Sequence, residues 1–167
     1  MATTVKQAKI SVLLEVIENL SATNLSGSTS SVKELVSKLH KELNLGSGST
    51  PDAELVYFGT QAMTAGALTI DLTALTNSEG ATIASTGKKV RAIFMVPTST
   101  NTAAITLTEG AANGYELGGN TWKLALTDEQ FAFIYLGADA PDISASVKNI
   151  DVTGTGTESI RLGIIFG

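Results

Sequence analysis

The stretch Ala104-Ile-Thr-Leu-Thr-Glu-Gly110 shows the pattern that decides the fold. Its two large apolar residues, Ile105 and Leu107, alternate with threonines, and a Glu-Gly turn signal follows directly. Alternation at a period of two is typical of an antiparallel strand that buries one face and leaves the other in water. The stretch therefore predicts a half-buried strand with a threonine-rich solvent face.

Similar segments recur on both sides of this strand, separated by glycine-containing turns at a spacing of about ten residues. Short strands at such a spacing indicate a sandwich or barrel. The predicted strands cover residues 54–58, 67–72, 90–96, 104–108, 121–126, 131–136, 143–152 and 159–166. We therefore predict an all-β protein, an antiparallel β-sandwich of the jelly-roll type with about eight to nine strands.

Two of these segments are apolar without alternation. They are Arg91-Ala-Ile-Phe-Met-Val96 and Leu162-Gly-Ile-Ile-Phe166. Continuous apolar runs are typical of strands that are covered on both faces. We therefore expect both segments to lie centrally in their sheet.

The N-terminal part of the chain has a different character. Residues 9–20 carry apolar positions at a period of two and also fit a helical stripe, but their many β-branched residues favour a strand. A loop rich in Ser, Thr and Gly follows at 21–31. The composition suggests a boundary near Gly46, with residues 1–45 packed on or appended to a β-sandwich domain at 46–167.

Residues 32–43 predict one short amphipathic helix. Ser31 with Glu34 fits a capping box at its start, and Gly46 lies just past its end. The expected stripe packs on the protein's own sheet or, as the alternative, docks on a partner as an assembly face. It consists of Val32, Leu35, Val36, Leu39 and Leu43.

Composition excludes several classes of function. The chain has 167 residues, enough for one domain with its own core. Its charged fraction is only 16% and its formal net charge is −5, so it lacks the basic surface of a nucleic-acid-binding protein. Because it has no cysteine, disulfides, thiol catalysis and cysteine-ligated metals are excluded.

The sequence predicts neither export nor a membrane partner. No uncharged apolar run approaches the roughly 18 residues of a membrane-spanning helix. The early apolar stretch at 10–20 contains Glu15 and Glu18 and has no cleavage site. We therefore expect a protein that is made in the cytoplasm without a signal peptide, and that can leave the cell within an assembled particle.

Catalytic patterns receive no support from the sequence. The single histidine, His40, lacks the partners of a Ser-His-Asp arrangement, and there is no Gly-x-Ser-x-Gly motif. The segment at 46–50 lacks the Gly-Lys-Ser/Thr of a phosphate-binding loop. We expect no catalytic residue, no cofactor and no enzymatic activity.

Two carboxylate pairs are the nearest approach to a glycosidase or a metal site. Asp128 and Glu129 form one pair, and Asp139 and Asp142 form the other. Both fall in predicted turns, where acidic side chains accept hydrogen bonds from the backbone. The second pair could offer oxygens to Ca²⁺ but lacks the number of ligands in a recognised loop, so we expect no metal.

Aromatic residues are scarce, at 5% of the chain. Trp122, Tyr115 and Tyr57 all lie in or beside predicted strands, which favours core or boundary packing. The alternative is a carbohydrate-binding module in which Trp122 and Tyr115 contact the ligand.

From residue 45 onward, a particular order of segments is formed by residues 45–58, 65–75, 89–96, 106–112 and 159–167. It includes an Asp-Leu strand, a Lys-Val-Arg-Ala-Ile strand and a final apolar strand ending in Gly. This order resembles a group of small virion structural proteins of tailed bacteriophages and prophages, in which the same strands recur. The resemblance does not extend to the N-terminal strand and helix.

This resemblance implies a non-enzymatic β-sandwich on the phage particle, foremost a capsid decoration protein that binds the head surface. Its partners would be the major capsid protein or other virion proteins, and its location the virion. We expect a homo-oligomer, with a trimer favoured. The alternatives are a head fibre, or a tail-associated adhesin or carbohydrate-binding β-sandwich.

Overall fold

The computed structural model describes residues 9–23, 29–45, 52–98, 100–119 and 121–167. Over these ranges the chain forms strands and turns, without a helix. Accordingly, the described ranges contain no helix that could cross a membrane. The strands are β1 Lys9–Thr23, β2 Thr29–Asn44, β3 Leu55–Ala62, β4 Ala67–Asp71, β5 Val90–Pro97, β6 Ile105–Glu109, β7 Lys123–Leu126, β8 Ala132–Tyr135, β9 Asn149–Thr153 and β10 Ser159–Phe166.

Eight of the strands form two four-stranded antiparallel sheets. Sheet 1 has the order β3-β10-β5-β8, and sheet 2 has the order β4-β9-β6-β7. Apart from the β6–β7 hairpin, consecutive strands from β3 to β10 belong to opposite sheets. This is the connectivity of a jelly roll, and it confirms the predicted β-sandwich.

The core lies between the inner faces of the two sheets. Along β10, alternate residues from Ile160 to Phe166 are buried, as the period of a strand requires. They belong to one apolar cluster with sheet 2 residues such as Leu107, Ile150 and Val152. The terminal strand is thus tied into the centre of sheet 1, between β3 and β5.

The predicted strands match β3 to β10 closely, and β5 and β10 occupy the central positions expected for them. The prediction for 143–152 is wrong in its first half, because β9 begins at Asn149. Before it, Ser144 and Val147 form an isolated bridge, and the Ser146 backbone N–H donates to the Ser144 hydroxyl at 3.3 Å. The serines close a local turn and thereby interrupt the strand.

The predicted helix at 32–43 is not formed. Strand β2 spans this segment and pairs antiparallel with β1, which confirms the strand predicted for 9–20. Leu35, Leu39 and Leu43 are spaced by four residues, and this spacing fits both a helix and a strand. A register shift between Val16 and Ile17 also interrupts the strict alternation of the two faces along this pair of strands. The cross-strand ladder supplies the backbone hydrogen bonds that a helix would have made internally.

Candidate assembly surface

The outer faces of the two sheets differ in chemistry. Sheet 2 has the threonine-rich face that the sequence predicts. There the Thr69 hydroxyl donates to Asp151 Oδ1 at 2.7 Å, and the backbone N–H of Ala111 donates to Asp151 Oδ2 at 2.8 Å. The outer face of sheet 2 is therefore polar, as expected of a surface that contacts water.

Sheet 1 contains no Asp, Glu or Lys in any of its four strands. Its charged residues are Arg91 and Arg161. Arg91 is buried, and its Nη1 donates to the Gly137 carbonyl at 3.1 Å while Nη2 lies 3.4 Å from Asp52 Oδ1. Arg161 is the exposed charge of this sheet. A chain with a net charge of −5 thus keeps its carboxylates off these four strands.

Large apolar side chains are exposed on the outside of sheet 1. Val56 is 54% exposed, Phe58 68%, Phe94 38% and Phe131, just before β8, 67%. The Phe131 ring lies 5.7 Å from the Phe94 ring, at an interplanar angle of 47°. We call this surface the apolar face. It comprises Val56, Phe58, Phe94, Phe131, Phe133, Gly163 and Ile165.

The strand register arranges the apolar face in rows. Phe58, Gly163, Phe94 and Phe133 lie in one row across the four strands of sheet 1. A Cβ atom on Gly163 would lie 3.5 Å from Phe58 Cδ2 and 3.8 Å from Phe94 Cβ, both ordinary contact distances. The ring of Phe58 therefore lies against the place that a side chain at Gly163 would take.

The continuous apolar runs in the sequence are explained by this face. β5 and β10 are central in sheet 1. On their outer side the described residues bury Ala92 but leave Phe94 and Arg161 exposed. Monomeric soluble proteins seldom expose a contiguous apolar patch larger than a few hundred Å². A surface of this kind is typical of contact with another protein.

The two residues predicted as ligand contacts occupy different environments. Tyr115 is fully buried, and its hydroxyl accepts from the Val90 backbone N–H at 3.0 Å and donates to the Pro141 carbonyl at 2.8 Å. Burial raises the pKa of Tyr115 to about 12, the principal cause being desolvation of the phenolate. Its ring has no surface available for stacking on a sugar.

Trp122 is half-buried immediately before β7. Its indole Nε1 donates to the Tyr115 carbonyl at 3.1 Å, which fixes the ring against the core. One side of Trp122 borders an open pocket of about 460 Å³, to which Glu109 and Lys123 also contribute. Of the two predicted contact residues, Trp122 is the one that can reach a ligand.

The first carboxylate pair lies in a turn, as predicted, whereas Asp142 of the second pair forms an isolated bridge with Lys89. Asp128 and Glu129 are exposed between Thr127 and Gln130, whose backbone groups close the turn at 3.1 Å. In the second pair, Lys89 Nζ lies 3.6 Å from Asp142 Oδ1 and donates to the carbonyl of Ala140 at 2.6 Å. An ammonium group is thus already present at the loop considered for Ca²⁺. The described part of the chain holds no group of three or more potential metal-ligating side chains.

The predicted assembly residues Val32, Leu35, Val36, Leu39 and Leu43 all lie in β2. In the ladder with β1, Leu39 is opposite Leu14 and Leu43 is opposite Ile10. Their role in assembly stays a prediction. The sequence analysis did not single out Phe58, Phe94 and Phe131, although the apolar runs of β5 and β10 were the signal for an additional covered face.

Comparison with known proteins does not assign the chain to a family. No protein-family model matches the sequence, and no curated protein is significantly similar to it.

Proposed function

We propose that this chain is a non-enzymatic structural protein of a tailed-bacteriophage virion, foremost a capsid decoration protein. The observation that carries the structural role is the apolar face, which is suited to contact with another protein subunit. The assignment to a phage particle rests on the resemblance of residues 45–167 to small virion proteins. The protein would be made in the host cytoplasm and become part of the virion.

The jelly-roll topology is compatible with this role. Jelly rolls recur in viral capsid domains and also in lectins, so the fold supports two kinds of function and selects neither. The apolar face favours the structural role, because a sugar site needs polar groups that hydrogen-bond hydroxyls, and the strands of sheet 1 offer few of them.

The chemistry of the apolar face suits a particle that must persist in varied salt. Contacts between apolar side chains are not screened by ions, whereas exposed ion pairs weaken as ionic strength rises. No carboxylate of the sheet 1 strands has to be desolvated when a partner covers the face. We therefore expect that assembly through this face does not weaken as ionic strength rises.

Co-sedimentation with phage heads tests the proposal. Purified full-length chain is mixed with particles from the phage or prophage that encodes it, after removal of the native copies, and is pelleted with them. We expect saturable binding at a fixed ratio to the major capsid protein. Absence of binding to heads and to tails, with the protein folded, would contradict the proposed function.

A carbohydrate-binding adhesin on a head fibre or tail is the second candidate. The pocket bordered by Trp122, Glu109 and Lys123 favours it. Screening the full chain against a broad set of glycans, with Trp122→Ala as the variant, tests it. Binding that is lost in Trp122→Ala supports the adhesin, and no binding across the set counts against it.

A further inference from the structure

We infer that the apolar face is covered by a second copy of this chain, packed sheet against sheet about a two-fold axis. This inference rests on the proposed function, because the structural role was argued from the apolar face. The dimer identifies the protein that covers this face. The area and the charge of the face favour a second copy.

The area of the face reaches the lower limit for a specific dimer. The four exposed side chains have exposed fractions of 38–68%, and an aromatic side chain presents about 200 Å² in full. Together they offer roughly 400 Å², and the half-buried side chains of Phe133, Ile165 and the adjacent Tyr135 bring the total to at most about 600 Å². Two copies would therefore bury up to about 1,200 Å² in total, at the lower end of specific protein interfaces.

The strand arrangement of the face suits a two-fold contact. A two-fold interface uses the same patch on both subunits. Phe58 and Phe94 lie on either side of Gly163 in one row and are both exposed. Two sheets packed face to face lie about 10 Å apart, and at that distance the side chains of the two copies can interdigitate.

The absence of carboxylates from the strands of sheet 1 reduces the electrostatic repulsion between two copies. Two copies with a net charge of −5 each repel one another over most orientations. In the sheet-to-sheet orientation the facing strands bring no carboxylates together. Arg161, near one end of the face, has a long side chain that can keep its guanidinium in water.

A two-fold contact makes the dimer the assembly unit, in place of the trimer favoured from the sequence. Light scattering and sedimentation equilibrium on the full chain, from about 1 to 100 µM, measure this directly. We expect a mass about twice the 17.2 kDa of one chain, and high salt should not lower it.

Gly163→Glu is the decisive variant. Its Cβ fits at contact distance, and its side chain points out from sheet 1, so the fold should tolerate it. A carboxylate at the centre of the face must lose its water on pairing, which we expect to weaken dimerisation at least about 100-fold. Ala125→Glu adds the same charge to the exposed outer side of sheet 2 and is the matched control. It should leave the mass unchanged.

Phe131→Glu provides an independent test, because Phe131 is exposed and lies outside the strands. It should also yield monomers. A wild-type monomer across the concentration range, a trimer, or dimers that survive both substitutions would each overturn the inference. Particle binding by a monomeric wild-type chain would refute the dimer and leave the proposed function standing. A dimer that binds no particle would contradict the proposed function and leave the inferred dimer standing.

Discussion

Replacing Tyr115 by Phe should destabilise the sandwich more than the loss of one oxygen atom suggests. The hydroxyl connects the start of β5 to the loop before Ile143, through the Val90 N–H at 3.0 Å and the Pro141 carbonyl at 2.8 Å. Both Tyr115 and Val90 are fully buried. In Tyr115→Phe the buried N–H of Val90 loses the bond to this hydroxyl, and water has no access to replace it.

The magnitude follows from these two bonds. Each contributes a net of about 1 kcal/mol, and a buried donor left unsatisfied costs about 1–3 kcal/mol. We therefore expect the free energy of unfolding to fall by about 2–3 kcal/mol. With a urea m-value of about 2 kcal/mol/M, the unfolding midpoint should move down by about 1–1.5 M. Unfolding is followed by far-UV circular dichroism at one fixed protein concentration, since self-association adds to apparent stability.

Tyr57→Phe is the matched control. The Tyr57 hydroxyl accepts from the side-chain amide of Gln61 at 2.7 Å, and this pair is only partly buried. Since the amide can turn toward water, we expect a loss of about 0.5–1 kcal/mol. If Tyr115→Phe costs no more than Tyr57→Phe, the role assigned to the buried hydroxyl is wrong.

Three further outcomes are expected. Because the pKa of Tyr115 is raised from 10.0 to about 12 in the folded chain, the unfolded chain releases this proton at lower pH. The free energy of unfolding should therefore fall as pH rises from 10 to 12, and it should fall less steeply in Tyr115→Phe. Equal slopes in the two proteins would contradict this. The pKa of Glu158 is lowered, chiefly by the hydrogen bond from the Thr155 backbone N–H. Its contribution is therefore present in full above the ordinary value of 4.5 and is lost as pH falls through the lowered pKa of the folded chain. Glu158→Gln should lower the urea midpoint at pH 7, and the difference from the wild-type midpoint should shrink as pH falls below 4.5. Gly59→Ala places a Cβ 2.9 Å from Tyr57 Cζ, so the buried ring must move. We expect the free energy of unfolding in urea to fall by about 1–3 kcal/mol. An unchanged midpoint would show that the ring shifts freely.

Strand positions could be predicted from local pattern because the burial of one face imposes a period of two. The last strand illustrates this, since its predicted and observed bounds are the same, Ser159–Phe166. The helix predicted at 32–43 failed for a physical reason as well. Leucines spaced by four residues satisfy either period, and pairing with β1 is a non-local event that no short window contains.

The sequence predicted the candidate assembly surface only in part. The apolar runs of β5 and β10 indicated strands covered on both sides, but not that the outer cover is missing from the described chain. The row of Phe58, Gly163 and Phe94 is set by the register of three strands that are far apart in sequence. Likewise, only packing decided that Tyr115 is buried whereas Trp122 borders a pocket.

By itself, then, the sequence determined an all-β chain of alternating strands and glycine turns, because periodicity and turn chemistry act over a few neighbouring residues. Tertiary structure decided which strands share a sheet and which of the two outer faces is polar. These properties depend on long-range pairing, and a shift of one residue in register exchanges the faces of a strand. The apolar face of sheet 1 exists only because its three strand pairings agree in register.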